Sequence, residues 1–436
     1  MGLCRQTTRS IRNLICGPPQ LSKIKKEIPL QTYFNKAYKD ALSNHKLGDQ
    51  PADDSVAKLH VPISLIAYGK SGDAHTRVGI YEDEMHFSAS LLKAGVMYCA
   101  FRLLTDAEDL AKATPAGGFA DQKAFFTALK KQFNSADAMP AIRNAGAGLV
   151  PSYEKILAVE GFGPGGTLTV KFVPDFYHGF TADQDLNKKY LDIRERDHLG
   201  DDENGEPIEN AASSAARAQI GHLYKMVVWS DNHSAGECIR RLGYAYINVK
   251  LMEKDLFDKK NNRGIWIGGD YEALVPRVEV DSVNDDKVAL ATTSRHMAEL
   301  FSLIKLDKLP HSLDMQFLIS EAQQFEPSWI SRVERLFTVG GVKVGVANIK
   351  PNKKPLGPNV YSEGIIFSWN TDTALPDEKL PKDRNLSGDF TMCWQNLRAD
   401  KIKADLAAHN VSNKFDGIAE VFENAFQDFL NQVKAP

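Results

Sequence analysis

The chain has 436 residues, of which 43% are apolar and 25% charged, and its formal net charge is -3. That length suggests two or three structural units, and the composition is that of an ordinary globular protein. The near-neutral charge gives no electrostatic footprint for nucleic acid or an acidic membrane surface, and the five cysteines (Cys4, Cys16, Cys99, Cys238, Cys393) form no CxxC pair, so no zinc knuckle or redox motif is supported.

Residues 1–20 carry Arg5, Arg9 and Arg12 but no apolar run long enough for a signal peptide, so the expected location is cytoplasmic. No stretch reaches the ~18 apolar residues of a membrane span. A helix is expected over 30–43. Residues 60–68 (HVPISLIAY) read as an apolar strand, 69–72 as a turn and 77–81 as the next strand. Residues 90–104 are mostly apolar and long enough for a buried helix. A helical pattern at 121–133 gives way to a glycine cluster at 161–166 and a strand-like run at 167–173. The acidic stretch 197–209 reads as a solvated loop. Residues 220–242 read as helix, tripeptide, helix. Residues 292–306 are helical with Thr292 or Thr293 as cap, and 329–337 are helical with a stop at Gly340-Gly341. Strands are expected at 342–349, 360–369 and 390–394, and an amphipathic helix at 418–433. The fold class that follows is α/β in the α+β sense, with one antiparallel sheet built from both chain ends and flanked by helices. The expected organisation is an N-terminal extension (1–55), a sheet domain (56–88 and 335–436) and a helical domain (89–334) with an insertion at about 105–217.

Two motifs carry chemistry. Ser90-Leu91-Leu92-Lys93 puts a hydroxyl and an amine three residues apart, on one helix face. At a helix start the serine sits where backbone N–H groups can stabilise an oxyanion. The same spacing recurs at Ser22/Lys25, Ser43/Lys46, Ser55/Lys58, Ser152/Lys155 and Ser302/Lys305. Ser90 stands out because its helix is apolar on most faces, so Lys93 would be buried, and a buried lysine needs a reason. Ser230-Asp231-Asn232 is the second motif. Alone it reads as an Asx turn or helix cap.

The flanks decide between these readings. Residues 227–235 (VVWSDNHSA) resemble the Ser-Asp-Asn segment of class A β-lactamases and related penicillin-recognising serine hydrolases and D,D-peptidases. Residues 77–100 are similar to that family's strand leading into its Ser-x-x-Lys helix. Residues 291–298 (ATTSRHMA) resemble its Thr-rich helix start, and 335–350 its turn and innermost strand. The resemblance implies a β-lactamase/transpeptidase-like fold and an acyl-serine intermediate formed on a small-molecule or peptide-like amide or ester, with no cofactor and no metal. It implies that Ser90 is the nucleophile and Lys93 its base. Ser230 would relay a proton to the leaving group, and Asn232 would position the substrate or Lys93. Lys350 would supply positive charge near Ser230, and Lys353 and Ser362 would contact substrate. Family relatives are usually periplasmic or secreted. The alternative is a non-catalytic binding or scaffold protein that keeps the fold.

Two departures weigh against ordinary β-lactam hydrolysis. Lys350 is followed by Pro351-Asn352 rather than a hydroxyl residue and glycine, and proline offers neither hydroxyl nor N–H. Lys343-Val344-Gly345 matches Lys-x-Gly better as a string, but by the expected elements it lies too early on the strand. The deacylating glutamate is also missing from its usual setting. Glu279 and Glu272 are the nearest candidates, and both read more naturally as surface carboxylates.

Other patterns carry less. Gly161-x-Gly163-x-x-Gly166 is interrupted by Pro164 and followed by a strand-like run, so it reads as a glycine turn. The histidines do not cluster at metal-ligand spacing. His222 and His233 flank the second motif and read as structural. Trp229 and Trp266 fit core packing better than a cleft lining.

Overall fold

The structure is a computed structural model that describes residues 28–45, 61–69, 75–114, 118–145, 150–163, 165–202, 208–322, 337–347, 359–369, 386–399 and 424. Nearly all of the expected helices at 418–433 and 329–337 lies outside these residues, as do Lys350 and Lys353.

The apolar run after Val61 becomes β1 (Ile63–Gly69), a strand buried at every position. A strand covered on both faces has no use for polar alternation, which is why the run is continuous. β2 (His75–Ile80) lies on one side of it. On the other side lies β13 (Leu386–Ala399), then β12 (Asn359–Trp369), then β11 (Phe337–Ala347). The order β11-β12-β13-β1-β2 is antiparallel throughout. One sheet is thus made from both ends of the described chain, as the sequence pattern suggests.

The first helix, α1 (Ile28–His45), is tied to β2 by Gln31, which bonds both the N–H and the carbonyl of Gly79 at 3.0 and 2.9 Å. α2 (Lys93–Ala113) is the buried axis of the helical lobe, preceded by a 3-10 turn at Ala89–Leu92. α3 (Gln122–Gln132) and α4 (Pro140–Asn144) follow. A hairpin of β3 (Leu157–Glu160) and β4 (Thr169–Phe172) comes next. The glycine cluster is part of the link between these strands. A Cβ at Gly161, whose φ is +89°, would meet Thr167 O at 2.1 Å.

The lobe continues with α5 (Phe180–Arg196), α6 (Ala211–Ala218), α7 (His222–Val228), α8 (Asn232–Leu242) and α9 (Tyr244–Glu253). Short strand pairs then carry the chain back toward the sheet: β5 (Phe257–Asp258) with β6 (Arg263–Gly264), β7 (Trp266–Ile267) with β10 (Leu290–Ala291), and β8 (Val280–Asp281) with β9 (Lys287–Val288). α10 (Ser294–Lys305) packs on the sheet, and the Thr293 hydroxyl caps it by accepting from His296 N. α11 (Ser312–Ala322) packs beside β11. The core is continuous from Ile66, Tyr68, Ile366 and Cys393 on the sheet, through Phe301 on α10, to Val96 and Met97 on α2. Among the described residues no helix is long and apolar enough to cross a membrane.

Two local expectations are corrected. α2 begins at Lys93, not Ser90, so the serine stands in the tighter 3-10 turn before it. β11 begins at Phe337, and Gly340-Gly341 lie inside it. A register shift between Val339 and Gly341 absorbs the extra residue. The glycine pair therefore marks a bulge and a close approach, since a Cβ on Gly341 would meet Ile319 of α11 at 3.0 Å.

Candidate active site

Three distant segments converge: the Ala89–Leu92 turn with the start of α2, the Ser230 turn between α7 and α8, and strand β11. Ser230 has φ +59°, a left-handed conformation rare outside glycine. That bend turns the Ser230 carbonyl onto the Lys93 amine. Asp231 then caps α8, accepting from Ser234 N at 2.8 Å, so the cap reading of this tripeptide is also true. Asn232 Oδ1 accepts from Lys93 Nζ at 2.8 Å, and Ser230 Oγ lies 3.4 Å from the same nitrogen.

Lys343 stands beside Ser230; Lys350 lies outside the described residues. Its Nζ is 3.1 Å from Ser230 Oγ. The reason that set Lys343 aside, a strand starting at Val342, fails because β11 starts earlier. Side chains two apart share a strand face, so Gly341, Lys343 and Gly345 all look toward α11 and the Ser90 turn. Gly345 is needed there: a Cβ would meet Ser88 O at 2.0 Å and Leu91 N at 2.8 Å. A Lys-x-Gly string in this place has a physical cause, a long amine reaching into the site and a residue without a side chain where two backbones touch.

Both lysines are fully buried. Burial pulls Lys93 down to about 7, while nearby Asp231 pulls it back up. Burial, and then the neighbouring Lys93, hold Lys343 well below the ordinary lysine range. Burial works to raise the Asp231 carboxyl, but hydrogen bonds from Ser234 and the charge of Arg217 leave it below its ordinary value. The Ser230 hydroxyl therefore sits between two amines whose charged forms burial disfavours. A hydroxyl can donate to one nitrogen while accepting from the other.

Ser90 lines a cavity of about 360 Å³ together with Phe87, Asn232, Tyr271, Arg277 and Val346. Among the described residues the acceptors around Lys93 Nζ come from Ser230 and Asn232, not from Ser90. The turn that presents Ser90 is braced from behind. Ala89 has φ +43°. Asn284 bonds both backbone groups of Phe87, at 2.8 and 3.2 Å, and Gln395 donates to Ser88 Oγ at 2.6 Å.

Ser362, expected to contact substrate, is instead buried in β12, and its hydroxyl accepts from Asn396 N at 3.2 Å. Glu272 is held by His233 and Arg240 at 2.9 and 2.8 Å. Glu279 is exposed between buried Val278 and Val280. His222 Nδ1 lies 3.2 Å from Ser234 Oγ. Trp229 donates to Asn187, and the buried Trp266 donates to the carbonyl of Val278. Sequence reasoning missed Tyr271. Its hydroxyl donates to Ala89 O at 2.8 Å, and its ring lies 4.9 Å from Lys93 Nζ. No motif announces it, because its place depends on a turn in which Tyr271 and Ala273 both have left-handed backbones.

No family model matches the chain, and no curated relative does. Solved structures do match. A halotolerant bacterial β-lactamase is 10% identical with a TM-score of 0.42, over 89% of this chain and 98% of that one. A class A β-lactamase from Bacteroides cellulosilyticus is 10% identical at 0.42, over 92% and 99%. A β-lactamase from Chitinophaga pinensis is 11% identical at 0.42, over 91% and 99%.

Proposed function

We propose that this protein is a serine hydrolase or acyltransferase that forms an acyl-Ser90 intermediate on an amide or ester. The observation that carries this reading is the Ser230 hydroxyl held between two buried, pKa-depressed lysines, one of which is bonded to Asn232, a residue that lines the same cavity as Ser90. Two buried amines at one hydroxyl serve no packing purpose, and desolvating them is costly. Their use is proton transfer.

In the first step neutral Lys93 takes the Ser90 proton, and Ser90 Oγ bonds to the carbonyl carbon. The Ser90 N–H donates to the oxyanion. As the carbon–nitrogen or carbon–oxygen bond breaks, Ser230 passes a proton to the leaving atom and regains one from Lys93. The Ser90 proton ends on the leaving group, and Lys93 is neutral again. Lys343 keeps the relay hydroxyl polarised. Asn232 holds the Lys93 amine. Val344 stands where a hydroxyl residue would be expected after the second lysine, so a substrate carboxylate finds no hydroxyl there, and an ordinary penicillin is a poor candidate for the natural substrate.

The alternative, a non-catalytic binding module, is favoured by one observation: Lys93 is bonded to Ser230 and Asn232 rather than to Ser90. Intact-mass measurement after incubation with a fluorescent penicillin and with a fluorophosphonate separates the two. The enzyme reading expects one adduct, mapped to Ser90 and lost in Ser90→Ala. It also expects labelling at least ~100-fold slower in Lys343→Ala but unchanged in Lys350→Ala. No adduct with either probe favours the binding module.

A further inference from the structure

An acyl-serine ester persists until water, activated by a base, reaches its carbonyl. Near Ser90 the described carboxylates are engaged elsewhere. Asp270 is the one carboxylate among the described residues lining the cavity, and it is buried, held by Arg240 at 2.8 Å and by Leu274 N at 3.2 Å. Glu272 shares Arg240 and is bound to His233. The base that remains is Lys93. Its amine meets Ser230 and Asn232, and a further neighbour is the face of Tyr271.

Tyr271 is fixed from two directions. Its backbone is left-handed at φ +61°, and its hydroxyl is bonded to the carbonyl of Ala89, the strained residue just before Ser90. Burial keeps the phenol protonated well above its ordinary range, so it is a donor to Ala89 and not a base. One side chain thus covers the lysine and pins the turn that carries the nucleophile. Water approaching Lys93 from the cavity meets an aromatic ring.

We propose that Tyr271 is a positioning residue that shields Lys93 from water, so that the acyl group on Ser90 is hydrolysed slowly and is available to an acceptor other than water. The proposal rests on the acyl-serine reading above. The chemistry balances simply. When water is the acceptor, its oxygen bonds to the acyl carbon, one of its protons passes to Lys93, the Ser90 Oγ–carbon bond breaks, and that proton returns to Ser90. An amine or alcohol acceptor follows the same path and needs no further reactant. Shielding acts on free water, which must reach Lys93 past Tyr271, and not on an acceptor that is held against the ester from another side of the cavity.

The test compares Tyr271→Ala, Tyr271→Phe and the unchanged full chain, with Tyr271→Val as the second opening variant should the alanine protein fail to fold by circular dichroism. First, the Ser90 adduct is formed with the fluorescent penicillin, excess probe is removed, and adduct loss is followed by intact mass. The opening variants are expected to lose it at least ten-fold faster, while Tyr271→Phe, which keeps the ring, stays within three-fold of the unchanged chain. Second, Lys93 acetylation by acetic anhydride is followed by peptide mass spectrometry from pH 6 to 9. The groups that bear on Lys93 there are Asp231, Lys343 and Tyr271. Hydration raises the Lys93 midpoint in the opening variants and exposes the amine, so its labelling changes there and not in Tyr271→Phe. A merely structural role moves neither readout selectively. Unchanged adduct lifetime or unchanged Lys93 labelling in a folded opening variant overturns the proposal. Absence of any adduct in the unchanged chain overturns the acyl-serine reading instead, and the Lys93 labelling still decides whether Tyr271 is a shield.

Discussion

Under the proposed acyl-serine reaction, a buried Lys93 at about 7 makes the chemistry of Ser90 depend on pH in a definite direction. Protonated Lys93 has no lone pair for the Ser90 proton, so acylation rises with pH through about 7. Burial sets where that rise falls, and Asp231 shifts it upward, because its charge holds the Lys93 proton on. Asp231→Asn removes the charge and keeps a cap for α8. Its acylation profile, measured by rapid-quench labelling, is expected to climb at lower pH than that of the unchanged chain. A profile that stays in place means that another group sets the limb. At this scale much of the site was legible. The spacing of Ser90 to Lys93, and the triplet from Ser230 to Asn232, are local facts that a helix and a turn carry into space. Lys343 was legible as a string but was misplaced, because its position depended on where a strand began. Tyr271 was not legible at all, since a hydroxyl reaching the carbonyl of Ala89 is a long-range contact with no local pattern.

Strand β11 shows how an element's boundary decides a residue's role. A glycine pair after an apparent helix reads as a stop, and here it is a bulge that lets the strand pass close to α11. The alternation that follows aims Lys343 and Gly345 at the Ser90 turn. An apolar strand such as β1 needs no such help, because its burial is written in a nearly continuous apolar run. Gly345→Ala tests the contact between strand and turn. The added methyl meets backbone atoms of Ser88 and Leu91, which cannot swing aside as a side chain would. Overpacking of this kind costs roughly 1–3 kcal/mol, and displacement of a reacting group by about an ångström lowers rates ~100-fold. Labelling of Ser90 is therefore expected to fall much further than the melting temperature. Equal labelling with an unchanged melting temperature would mean that β11 and the turn do not touch.

Across the whole molecule, the joint between sheet and helices carries a second titration. Glu299 on α10 is buried and bonded to Arg77 of β2 at 2.9 Å. Burial, only partly offset by Arg77 and Arg295, raises its carboxyl to about 7. The folded chain therefore holds the Glu299 proton to higher pH than the unfolded chain does. The stability this contributes is present below about 4.5 and is lost as pH rises through about 7. A shift of that size corresponds to at most about 3 kcal/mol. Glu299→Gln keeps an acceptor for Arg77 and removes the titration. Its melting temperature relative to the unchanged chain is expected to increase from pH 5 to pH 8, and a difference independent of pH refutes the assignment. The overall architecture was legible because strands flanked a helical middle in the sequence. The sequence pattern put both ends in one sheet but left the strand order open, and at their meeting β1 takes β13 as its neighbour.

That meeting gives the paired amines a consequence beyond the proposed proton transfer. Lys93, Ser230 and Lys343 belong to a helix, a turn and a strand that come together only when β11 is seated on a sheet completed by both ends of the chain. In a loosened chain each lysine returns to water and to its proton, and Ser90 becomes one serine among many. A reagent that marks Ser90 would therefore take a census of finished molecules, passing over nascent, misfolded and truncated ones.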